Sequence, residues 1–317
     1  MAPKTKLSTG AHPDPLDKRD FRIAFDADTA PPIDWASGSG LPRPQLIDQD
    51  DSDACVAHAL SYYHWQLRNQ EFSRKDLFAR IADKTEGLGA NIRDGVNAIV
   101  KQGQALESEL PDPPHEDNTN MRDQTGITGA DELPWKEFNY VQPDNDIDSV
   151  ARAILLYRGC VIGVYGTTIG WQNGSSPVPE PPTDDQMNNL TNMMRRGIVF
   201  VHALYFVDFH MHTNADGPPE KCIIAATSWP TRGATEHHIR EPYFTSGATF
   251  NPWSLIPSAT VASMLQGAKL TIPEKGVLAA APVSTVRAKR KVSPKKAKKA
   301  PARKKVSKKV TARKPSK

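Results

Sequence analysis

The stretch Gln49-Asp50-Asp51-Ser52-Asp53-Ala54-Cys55-Val56-Ala57-His58-Ala59-Leu60 decides the reading of this chain. A polar, acidic loop runs directly into an Ala- and Leu-rich segment, so a helix is predicted from Cys55 to about Asn69, with Cys55 in its first turn. A helix N-terminus offers unpaired backbone N–H groups and the positive end of the macrodipole. Both favour an anion and lower a cysteine pKa from about 8.5 toward neutrality. Six residues upstream, the Gln49 amide can turn toward the same point and, with the Cys55 backbone N–H, form a two-donor oxyanion hole. The neighbouring Asp50, Asp51 and Asp53 oppose the thiolate by charge repulsion.

Such a thiol needs a base. The run Ile198-Val199-Phe200-Val201-His202-Ala203-Leu204-Tyr205-Phe206-Val207 is apolar and rich in β-branched and aromatic residues, which predicts a buried strand with His202 inside it. Its distance from Cys55 is 147 positions (202 − 55), within the roughly 130–150 seen where a catalytic cysteine and histidine meet only after folding.

On these residues the chain resembles the papain-like cysteine peptidases, specifically their short bacterial-type members, over about residues 12 to 257. His12-Pro13-Asp14-Pro15-Leu16-Asp17-Lys18-Arg19-Asp20-Phe21-Arg22 is similar to the PDxxDxRDxxY opening of that branch. Gly87-Leu88-Gly89-Ala90-Asn91 is similar to its Gly-rich substrate-binding segment. Val201-His202-Ala203-Leu204 stands where the family has GHAV, and Thr227-Ser228-Trp229 where it has NSW. The resemblance implies an α+β, two-lobe papain-like fold, with a helical left lobe around the nucleophile helix and a β-barrel-like right lobe. It also implies a thiol endopeptidase in which Cys55 is the nucleophile, His202 the general base and acid, Gln49 the oxyanion donor and Thr227 the residue in the place of the orienting Asn. Gly89, Ala90 and Trp229 are then substrate-binding residues, and no cofactor or metal is implied. His58, one turn along the Cys55 helix, is read as a helix-surface or lobe-interface histidine, because the resemblance implies a base from the opposite lobe.

The chain departs from the family pattern at several points. A threonine hydroxyl is shorter than the Asn carboxamide it replaces, although it can still accept a hydrogen bond. The pattern CGSCW becomes Ser52-Asp53-Ala54-Cys55-Val56, Pro230 follows the Ser-Trp pair, and no second Trp-Gly follows in Thr231 to Glu236. Two functions are therefore carried forward: an active cysteine peptidase, and an inactive pseudo-protease that binds peptide. Thiol reactivity separates them.

Length and composition fit one two-lobe domain with extensions in 317 residues. No window approaches 18 consecutive apolar residues, and Met1 to Ser8 lacks a secretory apolar core, so a cytoplasmic protein off the membrane is expected. The short segment before Cys55 leaves no room for a long helical propeptide, which points to the N-terminal segment, an insertion or a separate protein for any autoinhibition. Three cysteines, with Ser52 where the family has a disulfide partner, fit a reducing compartment. Cys160 and Cys222 are read as small buried apolar residues.

The end of the chain is a different material. Val286 to Lys317 holds 16 Lys and Arg and no acid, which leaves 24 basic against 36 acidic residues in the remainder. Its Lys/Ala/Pro composition resembles the tails of linker histones, has no apolar period, and is expected to be disordered and to bind nucleic acid phosphates without base specificity. Residues 1–11 are read as disordered and 258–285 as a linker. Further helices are predicted from Ser73, from Asn91 to Lys101 and from Asp148 to Tyr157, with 167–197 as an insertion loop that covers the cleft. His210, His212, His237 and His238 with Cys222 supply zinc-type ligands, but their spacing matches no recognised zinc finger, so no metal is expected.

Overall fold

The helix expected at Cys55 is α1 (Cys55–Arg68), closed by Asn69 in the left-handed conformation (φ 54°). The computed structural model of the protein describes residues 10–15, 17, 20, 22–25, 30–82, 89–123, 125, 133, 135–167, 171, 177–213, 217–229 and 236–257. These all belong to one compact unit. The linker and basic tail expected at 258–317 lie outside the described residues.

Two further helices pack around α1. α2 (Arg74–Ile81) starts where Ser73 accepts a hydrogen bond from the Asp76 N–H at 3.0 Å, the cap its sequence predicts. α3 (Ile92–Lys101) approaches α1 closely at Gly95, where a Cβ would stand 2.2 Å from Leu60 Cδ1. A fourth helix, α4 (Ile147–Tyr157), is capped by Asp146, whose carboxylate accepts from the Ser149 N–H at 2.9 Å.

Among the described residues the main sheet has seven strands: β2 (Arg22–Ile23), β4 (Asn139–Pro143), β9 (Thr249–Ile256), β5 (Cys160–Thr167), β6 (Val199–His212), β7 (Glu220–Ala226) and β8 (Glu236–Arg240), in that spatial order. Every neighbouring pair is antiparallel except β2 with β4. Side-chain alternation along β6 builds two cores. Val201, Ala203, Tyr205 and Val207 face a cluster shared with α1, α2 and α3, while Phe200, Leu204 and Phe206 face one shared with α4. The fold is thus α+β with a helical lobe and a β-rich lobe, as expected, but the expected barrel does not close among the described residues. β2 and β8 stand at opposite ends of an open sheet, and near β8 the His238 N–H donates to the Pro177 carbonyl (2.7 Å).

A second, two-stranded sheet is parallel: β1 (Ala11–His12) lies along β3 (Ala90–Asn91). Gly10 and Ala11 are therefore placed, although the sequence suggests an unstructured start there. The 167–197 segment also carries more structure than a loop. It contains α5 (Asp184–Asn188), opened by a Thr183/Gln186 capping box, and α6 (Leu190–Arg195). Among the described residues the last helix is α7 (Glu241–Thr245), and none is long and apolar enough to cross a membrane.

Candidate active site

Cys55 is the first residue of α1, and no side chain caps that end, because Ala54 at the N-cap has nothing to offer the first-turn N–H groups. The loop before it is tightly tied. The Ser52 N–H and hydroxyl both donate to the Gln49 carbonyl (2.9 and 2.8 Å), while Asp53 and Asn118 exchange two hydrogen bonds of 2.8 Å. Gln49 is held from the other lobe: its N–H donates to the Ser228 carbonyl (2.9 Å) and its Oε1 accepts from the Ser228 hydroxyl (2.5 Å). One amide hydrogen of Gln49 goes to the Ser52 carbonyl (2.6 Å), and a carboxamide carries a second.

The strand that carries His202 passes the Cys55 sulfur. The Ala203 backbone N–H hydrogen bonds to the Cys55 sulfur, so β6 runs directly past the thiol with His202 as the preceding residue. His202 is fully buried, and its ring is stacked on Trp229 with centroids 3.8 Å apart and planes 14° apart. Trp171 stands edge-on at 6.3 Å and donates from its indole nitrogen to the Tyr243 hydroxyl (2.8 Å). Thr227 is buried beside this stack, and its hydroxyl oxygen accepts from the Trp229 N–H (3.2 Å), which fixes the turn that lays the indole on the imidazole. Trp229, read as substrate-binding, is itself only 4% exposed and meets His202 and Phe200. Its place in the structure is under the imidazole.

The segment expected to bind substrate, Gly89 and Ala90, is paired with the chain at Gly10 to His12. The Ala90 N–H donates to the Gly10 carbonyl (2.8 Å), and a Cβ on Gly10 would lie 2.8 Å from the Cys55 sulfur and 2.3 Å from the Asp53 carbonyl oxygen. Gly89 takes the left-handed conformation (φ +74°), and a Cβ there would stand 2.2 Å from the Gly10 carbonyl oxygen. The N-terminal segment thus lies on Gly89 and Ala90 and covers the thiol. The consequence is electrostatic: burial pushes the Cys55 thiol up to about 12, the Ala203 N–H pulls against this, and the Asp53 carboxylate adds to it. A helix N-terminus alone suggests a lowered value. The sequence omits the cover, because two small residues far upstream carry no pattern that predicts where they pack.

His58 is not aimed at the sulfur. Its Nε2 meets Glu116 Oε2 at 2.8 Å, both groups being buried, and the Ser52 hydroxyl reaches the same carboxylate oxygen at 3.3 Å. Glu116 therefore ties the Ser52 loop to α1, a link that residue order does not suggest.

A cysteine opening a buried helix, a histidine on the strand that crosses it and a glutamine loop clasped by a Ser-Trp turn define the papain-like fold, the architecture of the cysteine proteases. Among solved structures the chain is similar to xylellain, a cysteine protease from Xylella fastidiosa, at 21% identity over 80% of this chain and 97% of that one, with a TM-score of 0.61. It is also similar to proCathepsin B S9 from Trypanosoma congolense (13% identity, 80% and 87% covered, TM-score 0.58). A third is procathepsin L 3 of Tenebrio molitor larval midgut (14% identity, 80% and 77% covered, TM-score 0.55). At these identities the likeness is one of fold. No family model and no curated protein matches the chain.

Proposed function

We propose that this protein is a cysteine peptidase whose N-terminal segment lies in its own substrate groove. The observation that carries the reading is the Ala203 N–H against the Cys55 sulfur, which seats the His202 strand on the N-terminus of α1. In this reading the segment withdraws, and Cys55 gives up its proton to His202. The thiolate attacks a peptide carbonyl, and the oxyanion is met by the Cys55 backbone N–H and the Gln49 amide. His202 then protonates the departing amine, and the C–N bond breaks to leave a thioester. Water, deprotonated by His202, attacks the thioester and releases the carboxylic acid and the thiolate. Thr227 and Trp229 hold the imidazole, and Gly89 and Ala90 pair with the extended substrate in the place of Gly10–His12. The basic tail tethers the enzyme to nucleic acid.

The test is labelling by a peptidyl epoxide. Covalent modification at Cys55 is expected, lost in Cys55→Ala and strongly slowed in His202→Ala. A specific observation favours a second reading: Thr227 stands in the place of the family Asn, and the Cys55 thiol is pushed up to about 12. If Cys55 stays inert to the epoxide after the N-terminal segment is displaced, the protein is a peptide-binding pseudo-protease.

A further inference from the structure

At the far end of the sheet, side chains with metal-ligand chemistry converge from three adjacent strands. His210 of β6 is the cross-strand partner of Cys222 in β7, and His238 of β8 is the partner of Ile224, two residues on from Cys222. The period of two along each strand therefore puts His210, His212, Cys222 and His238 on one face. His210 Nε2 and His238 Nδ1 are 3.1 Å apart, and one donor atom from each of His210, Cys222 and His238 lies within 4.8 Å of the others. His212 flanks the group, with its ring centroid 6.0 Å from that of His210 and 6.1 Å from that of His238. His237 points to the opposite face, against Trp171 at 4.2 Å, and takes no part.

Two imidazole nitrogens and a thiolate around tetrahedral zinc, at about 2.0–2.1 and about 2.3 Å from the metal, stand about 3.3–3.6 Å from one another. The two imidazole nitrogens are already close to such an edge, and the sulfur reaches its place with a shift of about an ångström. Two arginines flank the site and both are balanced: Arg43 is engaged by Asp208 (2.9 Å) and Glu236 (2.6 Å), and Arg240, the cross-strand partner of Cys222, is engaged by Glu220 (3.1 Å) and Glu180.

We propose that His210, Cys222 and His238 bind a zinc-class divalent cation, with His212 or water as the fourth ligand, and that the metal pins β8 to β7 and β6. Binding replaces the S–H bond of Cys222 with an S–Zn bond and releases one proton to solvent. His210 lies eight residues beyond His202 on the same strand, about 26 Å at about 3.3 Å per residue, so the ion is structural and takes no part in peptide hydrolysis. The sequence spacing alone suggests no metal. The ladder register supplies what the spacing lacks.

The full chain carrying Cys55→Ser, which removes the cleft thiol as a competing ligand, is titrated with Co²⁺ and then Zn²⁺. One equivalent of Co²⁺ is expected to give a thiolate-to-cobalt charge-transfer band that Zn²⁺ abolishes, and Zn²⁺ is expected to raise the thermal midpoint. Cys222→Ser is expected to remove the band. His210→Gln and His238→Gln, which test the site should Cys222→Ser not fold, are each expected to weaken Co²⁺ binding by more than about a hundredfold, since loss of an outer-shell partner alone costs about 10–100-fold. No band in the parent, or an undiminished band in Cys222→Ser, overturns the proposal.

Discussion

At the residue scale the site depends on what a single Cβ would meet. Gly10 is tolerated over the thiol because it has none: a Cβ there would sit 2.3 Å from a backbone carbonyl oxygen at the start of α1, which cannot turn aside. Gly10→Val should therefore expel the N-terminal segment and uncover Cys55. Burial is the largest cause that holds the thiol up at about 12, so uncovering it should raise the thiolate fraction near neutral pH and accelerate iodoacetamide alkylation, by up to about a thousandfold in the limit of a full return to 9.0. An unchanged rate would mean that something other than this segment buries the sulfur. Thr227 invites the complementary test. Thr227→Val keeps the shape but leaves the buried Trp229 N–H without the hydroxyl that accepts from it, a loss of roughly 1–3 kcal/mol. Denaturant unfolding should show that loss, and epoxide labelling should slow as the indole loosens over His202; undiminished stability would detach Thr227 from the turn. Cys55, His202, Gln49 and Thr227 are nominated by residue type and order alone, and the fold draws the segments that carry them together. Glu116 is not legible in the sequence, because a carboxylate that joins Ser52 to His58 announces itself only when the chain has folded.

At the element scale, α1, α2, α3, α4 and the apolar core of β6 follow from periodicity and caps, since each buries a face that its own sequence marks. The pairing of β1 with β3 does not, because two residues have no period, and its anchor lies just beyond. The Asp14 carboxylate accepts from the Trp253 indole N–H (2.6 Å) and the Arg93 N–H (3.2 Å), while the Asp14 N–H donates to Asn251 (2.9 Å). Burial pushes Asp14 up to about 6, with the Trp253 and Arg93 hydrogen bonds pulling the other way. Once the segment lifts into water, the carboxyl returns to its ordinary 3.8. The docked state thus holds its proton more tightly, so the contribution to docking is fully present below 3.8 and is lost as pH rises through about 6. The Ala90 amide, which donates to Gly10, reports on docking. Corrected for intrinsic rates, its hydrogen exchange should be better protected at pH 5 than at pH 7.5, and Asp14→Asn should flatten the difference. Protection that ignores pH in the parent chain would remove Asp14 from the control of docking.

At the scale of the whole molecule, the modest formal charge of +4 conceals opposite halves: 16 basic residues without an acid after Val286, against 24 basic and 36 acidic residues before it. A net-acidic body is repelled by phosphate while such a tail is drawn to it, so the proposed tether is assigned to the tail and is expected to act by counterion release. Composition alone carries this expectation, since a segment without apolar period still has a charge density to read. Two outcomes are distinguishable on immobilised double-stranded DNA. A nucleic acid tether gives retention at low salt, with log affinity falling linearly in log salt at a slope no steeper than about −14, the limit of about 0.9 per contact over 16 charges. Removal of residues 286–317 should then abolish retention while leaving epoxide labelling of Cys55 unchanged, because the cleft is built from residues 10 to 257. A tail docked on the acidic body behaves differently: its charges are already neutralised, so the full chain elutes near the truncated one and the isolated tail peptide binds the truncated body in a salt-dependent way. Retention that survives the truncation would place the basic surface elsewhere and sink the tether.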